Sequence, residues 1–281
     1  MKNLLTKILI ILTGIILTVS VSVSAGEFKF SKTIIYPLEK DGLVEEVEVS
    51  TPNGFIYILP NKEKNYKVTV SYKITGKNRE EAEETADTIT KTSKISNRLY
   101  CGIKHPKSNI KIFKFFNKDK KNIEASVIVY LPPKYLYRAN INIVNGSFTA
   151  GEVKLKSIET NIVNGNSIVN SSFEELNINT VNGNIAVSPP KIAKEAYVDL
   201  NITNGKVIIL LEKQKDLGIN ADASTLAGSI NTNIPGLSDK LKKRFWISPV
   251  LKGETDNFHN SANKLFIKIN CLRGKISVMQ K

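Results

Sequence analysis

Asn142-Ile143-Val144-Asn145-Gly146 is followed by Asn161-Ile162-Val163-Asn164-Gly165, Asn179-Thr180-Val181-Asn182-Gly183 and Asn201-Ile202-Thr203-Asn204-Gly205. The glycines stand 19, 18 and 22 residues apart. A period in this range marks stacked supersecondary units, each too small to bury its apolar face alone. Asn-Gly is also the strongest short signal for a two-residue β-hairpin, so a meander would show the same dipeptide. A meander needs no identity between its hairpins, however. Five near-identical positions recurring four times favour coils stacked in register.

The positions within a copy have different duties. Counting from the Asn before Gly, position −2 holds Ile143, Ile162, Thr180 and Ile202, and position −4 holds Ile141, Thr160, Ile178 and Leu200. These share one face of a strand and form the expected core. Position +3, with Phe148, Ser167, Ile185 and Val207, opens a second short strand. Asn145, Gly146, Asn164, Gly165, Asn182, Gly183, Asn204 and Gly205 read as turns between the two strands. There Gly supplies a positive φ and Asn tolerates one. Asn142, Asn161, Asn179 and Asn201 face away from the core. In register they would lie about 4.8 Å apart and hydrogen-bond as a ladder. A worn copy is visible at Gly228–Asn233, and Leu265–Val278 reads as a last one with Arg273-Gly274 in place of Asn-Gly.

Outward from the repeat, the chain stays strand-rich. Residues 43–59 alternate around Thr51-Pro52-Asn53-Gly54, which reads as two strands joined by a tight turn. Tyr66–Ile74 alternates as well. Residues 79–92 are the exception, a short helix with Ala82, Thr85, Ala86 and Ile89 on one face. Strands resume over 94–131, with a hairpin tip at Asn117–Asn122. The N-terminus reads as an export signal over 1–25. Lys2 and Lys7 precede an uncharged run from Ile8 to Val23, and Val23-Ser24-Ala25 suits cleavage before Gly26. An uncleaved anchor is the alternative. The expected organisation is thus a signal at 1–25, an N-terminal β region at 26–139 and a repeat solenoid at 140–281 with an insert at 235–263. The fold class is all-β, a β-solenoid or β-helix-like stack with an N-terminal strand region and one short helix.

The order of features resembles a known family. The early strand pair around Thr51-Pro52-Asn53-Gly54 and the Glu/Ala-rich helix come first. Val127-Ile128-Val129-Tyr130-Leu131-Pro132, the Asn-Gly repeats and the closing strand-Gly-strand of Ile267–Val278 follow. Over residues 44–281 this is similar to the bacterial "putative adhesin" domains, envelope proteins of unknown biochemical function. The resemblance implies a β-helix-like fold and brings no catalytic residues with it. The segment 104–121 and the insert 235–263 depart from the pattern.

Catalytic chemistry finds little footing. His105 and His259 stand apart from any ligand-spaced Cys, Asp or Glu, and no metalloprotease, nucleophile-elbow or nucleotide-binding motif occurs. Adjacent acids such as Glu45-Glu46 and Glu174-Glu175 diverge on a strand, whereas a glycan-cleaving enzyme needs two that converge. No enzyme, cofactor or metal is expected. A carbohydrate-active enzyme on a β-helix and a signalling module that binds a protein through 235–263 are the competing readings.

The net charge is +14, and removing residues 1–25 takes away two lysines and no acid, leaving +12. A basic exported chain suits anionic envelope polymers or lipids. The candidate contacts are Lys104, Lys107, Lys111, Lys114, Lys118, Lys120 and Lys121, interleaved with Phe113, Phe115 and Phe116, and then Lys240, Lys242, Lys243 and Arg244 beside Trp246. Basic stripes with aromatics also bind single-stranded nucleic acid, but export argues against such a partner. The plainer reading is lysines guarding strand edges, and the insert equally suits a cap on the open end of the stack. Cys101 and Cys271 are the two cysteines. They either pair in an oxidising compartment or are separate buried thiols.

Overall fold

A computed structural model describes residues 6–12, 15–24, 27–37, 43–63, 65–75, 79–103, 123–244 and 248–281. The chain divides into two compact units, Met1–Pro132 and Pro133–Lys281.

The first unit is a mixed sheet with one helix. Its elements are β1 (Thr6–Leu12), β2 (Ile15–Ser24), β3 (Glu27–Pro37), β4 (Glu46–Pro60), β5 (Asn65–Thr75), α1 (Arg79–Ile89), β6 (Thr90–Ile95), β7 (Arg98–Ile103) and β8 (Ile123–Leu131). Strands β1, β2, β3, β5 and β8 pair antiparallel in that order. The segment read as an export signal therefore forms a hairpin on β3, in keeping with its many β-branched residues.

Thr51–Gly54 does not separate two strands. β4 runs unbroken through it and changes partner there. Glu46–Ser50 pairs parallel with β7, and Gly54–Pro60 pairs parallel with β8. Gly54 takes φ +132°, and a Cβ there would lie 1.9 Å from the Ala125 carbonyl oxygen. The helix ends at Ile89, short of the expected 92, because Thr90 already pairs with Ile103 as β6 begins. Thr85, Ala86 and Ile89 bury the inner face of α1 as its spacing demands.

The second unit is the stack. It contains β9 (Tyr137–Ala150), β10 (Lys154–Val169), β11 (Ser172–Val187), β12 (Glu195–Leu211), β13 (Leu217–Thr232), β14 (Leu241–Arg244), β15 (Ser248–Glu254) and β16 (Asn263–Gln280). β9, β10, β11 and β12 pair parallel in sequence order, with every repeat position in register. Only Gly151–Val153 separates β9 from β10, and Asn170-Ser171 separates β10 from β11. Links this short cannot make a conventional crossover between parallel strands, which takes a dozen residues or more. The strand itself must therefore coil.

The expected turn inside each copy is thus a corner within one continuous strand. Ile143 and Phe148 are both buried, five positions apart, while Val144 and Asn145 between them both face out. A straight strand would alternate without a break. The corner is carried by glycine alone. Gly146, Gly165, Gly183, Gly205 and Gly274 have φ between +147° and +152°. Ser96 is the only non-glycine with positive φ among the described residues, so Asn145, Asn164, Asn182 and Asn204 are not there to tolerate one.

Strand order departs from chain order at the end. β16 lies between β12 and β13, parallel to both. β13 leaves a vacant place beside β12, and the C-terminal copy fills it. Lys268 then stands in register with Asp199 on one side and Asp222 on the other, and its ammonium lies 3.6 Å from the Asp199 carboxylate. The insert closes the far edge: β15 pairs antiparallel with β13, and β14 with β15.

The core of this unit is a set of columns. Ile141, Thr160, Ile178 and Leu200 are buried, as are Ile143, Ile162, Thr180 and Ile202. Phe148 is followed by Ser167 in the next coil, large against small. The hydroxyls of Thr160, Ser167 and Thr180 are buried without a hydrogen-bond partner.

Candidate functional site

In-register stacking turns each outward repeat position into a line of like side chains. Asn161 Nδ2 donates to Asn142 Oδ1 at 3.2 Å, Asn179 to Asn161 at 3.1 Å, and Asn201 to Asn179 at 3.1 Å. The line continues to a residue the sequence reading left out, with Asn270 donating to Asn201 at 2.9 Å. Its signal was present, since Asn270 precedes Arg273-Gly274 by the same interval as Asn142 precedes Asn145-Gly146. Asn140, Asn177 and Asp199 each accept a further bond from the rung two residues on, fixing the amide orientations.

The corner asparagines form a second line. Asn164 donates to Asn145, Asn182 to Asn164 and Asn204 to Asn182, each at 2.9 Å. A chain of amides satisfies donor and acceptor together, and such chains polarise cooperatively. This is the function of the Gly-side asparagine that a turn reading overlooked.

Between the two lines runs a row of Val144, Val163 and Val181, each 43 to 47% exposed, and then Thr203; past the end of the corner line Leu272 and Leu226 extend the row at 44 and 53%. Alternation from the inward −4 and −2 positions already places the residue before Asn outward, although it is aliphatic. What the corner adds is to turn the following Asn outward as well. One outer corner thus carries two amide lines with aliphatic side chains between them, repeating about every 4.8 Å.

Lys104, Lys107, Lys111, Lys114, Lys118, Lys120 and Lys121 lie outside the described residues, as does Trp246. Lys240 is half-buried and its ammonium donates to the Glu254 carbonyl, a structural bond rather than a free surface cation. Lys242, Lys243 and Arg244 lie on β14, with backbones opposite Val250, Pro249 and Ser248, and their side chains are outside the described set.

Cys101 and Cys271 are both buried, each as a free thiol. Cys101 sits on β7 beside Val49, and burial pushes its thiol up to about 12. Burial also raises Cys271, opposed by hydrogen bonds from Thr225 and the Arg273 backbone. Neither is poised to react, because the thiolate is the nucleophile. Among the described residues no three His, Cys, Asp or Glu converge as metal ligands, and no helix is long and apolar enough to cross a membrane.

The chain belongs to the Toastrack DUF4097 family, whose profile matches residues 44–233. The solved structure of a putative cell adhesion protein from Clostridium sporogenes ATCC 15579 is similar over 89% of this chain and 100% of its own. Its identity is 17% and its TM-score 0.51, a likeness of fold. A putative adhesin from Bacteroides fragilis NCTC 9343 matches over 89% of this chain and 97% of its own, at 8% identity and TM-score 0.32. No curated protein matches the sequence.

Proposed function

We propose that this chain is an exported, non-catalytic protein of the cell envelope, an adhesin-like β-solenoid that binds an anionic envelope surface through the corner of its coils. The observation that carries the reading is the exposed row Val144, Val163 and Val181 between two hydrogen-bonded asparagine lines, extended past Thr203 by Leu272 and Leu226. Monomeric proteins rarely leave contiguous aliphatic surface open without a partner. Amides already bonded to one another demand little further desolvation, so the apolar row can be covered at low polar cost. The charge of +12 left after removal of residues 1–25 draws the chain to an anionic surface at long range, and the stripe holds it at contact. Export rests on the Lys2–Ala25 pattern, whose cleavage would leave Gly26 as the first residue.

The test is co-sedimentation of the full chain with isolated envelopes. We expect retention at low salt, release at high salt, and at least fivefold weaker retention for a Val144→Ser, Val163→Ser, Val181→Ser variant that keeps its far-ultraviolet spectrum. Retention indifferent to salt and to the triple change would sink the proposal.

A further inference from the structure

A second outward feature of the stack lies away from the corner. Tyr197 on β12 is 48% exposed and stands in register with Phe266 on β16 and Glu175 on β11. Its ring stacks flat on Phe266, with centroids 4.8 Å apart and planes 7° apart. Phe266 is held in turn by the edge of Phe258 at 5.4 Å and 87°, and Phe258 is buried. The Tyr197 hydroxyl donates to Glu195 Oε2 at 3.4 Å. The ring is therefore fixed before any ligand arrives.

The aromatic column stops at Tyr197, because the next rung is Glu175. On that side an open groove of about 660 Å³ is lined by Tyr197 together with Arg138, Lys156, Glu174, Glu175 and Lys194. Three cations and three carboxylates, Glu195 included, line this groove. None of the six forms an ion pair among the described residues. Charges of both signs are thus free to meet a ligand beside a rigid, half-exposed ring.

A flat ring face without its next neighbour accepts another flat face at the same repeat. The axial C–H groups of a pyranose provide one, since they carry partial positive charge and the aromatic face is negative. A sugar seated there lies over Glu175, whose carboxylate accepts hydroxyl or ammonium protons. Arg138 and Lys156 then face any carboxylate the sugar bears. We propose that this groove is a saccharide subsite, taking one pyranose ring of a glycan that carries both amino and carboxylate groups. The inference stands on the groove alone and does not need the corner to be a binding surface.

The experiment is calorimetric titration of the full chain with a soluble disaccharide–peptide fragment of peptidoglycan, in which the stem peptide carries the amino and carboxylate groups, and with that stem peptide alone. Saturable binding of the fragment, at least tenfold weaker for the peptide alone, is expected. Tyr197→Ala should weaken the fragment at least tenfold, and the Val144→Ser, Val163→Ser, Val181→Ser variant should leave it unchanged. Should Tyr197→Ala fail to fold, Arg138→Glu at the far wall gives the second reading, with a loss of threefold or more. No saturable binding, equal binding of the peptide alone, or undiminished binding in the folded groove variants would overturn the proposal.

Discussion

Strands β3, β5 and β8 of the first unit and the coils β9–β12 and β16 of the second draw on the same residues, with Val, Ile, Thr and Ser prominent in both. Pairing direction separates them. In the antiparallel strands, side chains meet across the ladder in isolated pairs. Thr33 and Thr69 hydroxyls lie 3.1 Å apart, and Ser71 donates to Ser31 at 3.2 Å. Each contact ends after one step. In the parallel coils, the same position meets itself in the next coil, so one asparagine becomes five in a row. Repetition in sequence becomes a continuous surface only where the strands run parallel and in register. The first unit bends a strand at its own Asn53-Gly54, where Gly54 stands in register with Ala125 of the β8 strand.

The sharpest way to break this contrast is the glycine column. A Cβ at Gly183 would lie 1.6 Å from the Gly165 carbonyl oxygen, and φ is +152°. Neither the backbone nor the neighbouring coil can yield without parting. Gly183→Ala should cost on the order of 4 kcal/mol in urea unfolding. At Gly102 in the first unit a Cβ meets the end of the Tyr100 side chain, which can swing away, so Gly102→Ala should cost about 1 kcal/mol. Equal losses would mean that coil stacking is not what makes Gly183 obligatory.

The amide line gives a smaller effect. Asn179 donates to Asn161 and Asn177 and accepts from Asn201. Asn179→Ala should therefore cost about 2 kcal/mol, against about 0.5 kcal/mol for Ser71→Ala, which loses one bond. A double change of Asn179 and Asn201 should cost less than the sum of the singles, because they share a bond. Strict additivity would argue that the line is a row of independent contacts.

The third contrast is in alkali. Cys101 has an ordinary value of 9.0 and is raised by burial to about 12, and burial raises Tyr36 and Tyr72 in the same unit. The folded state keeps the Cys101 proton where the unfolded chain sheds it. This stability is complete below pH 9 and is lost as pH rises from there towards 12. The first unit should lose about 1 kcal/mol between pH 9 and 10. Cys101→Val should flatten that slope in urea unfolding followed at the two pH values; an unchanged slope would remove Cys101 as its source.

Much of this was legible in the repeat. The inward columns, the recurring asparagine and the coil period all follow from spacing, because parallel stacking preserves it. Other features were hidden for physical reasons. Asn-Gly has the same letters whether it closes a hairpin or bends a strand, and only the buried pair Ile143 and Phe148, five positions apart, reveals the corner. That corner is also what exposes Asn145, which alternation would have placed inside beside Ile143. The helix end lay in doubt because Thr90 suits either state and the pairing with Ile103 decides it. Tyr197 and Phe266 are 69 residues apart and share no motif, so nothing local foretold their stack.

By itself, then, the sequence determined the all-β class, the register and the identity of each column, since these depend on local propensity and period. The tertiary structure alone decided which copies are neighbours. β16 enters between β12 and β13 because the site vacant beside β12 offers two unsatisfied strand edges at once. A strand filling that place satisfies backbone groups on both its sides, whereas the chain's own order would have left it with one.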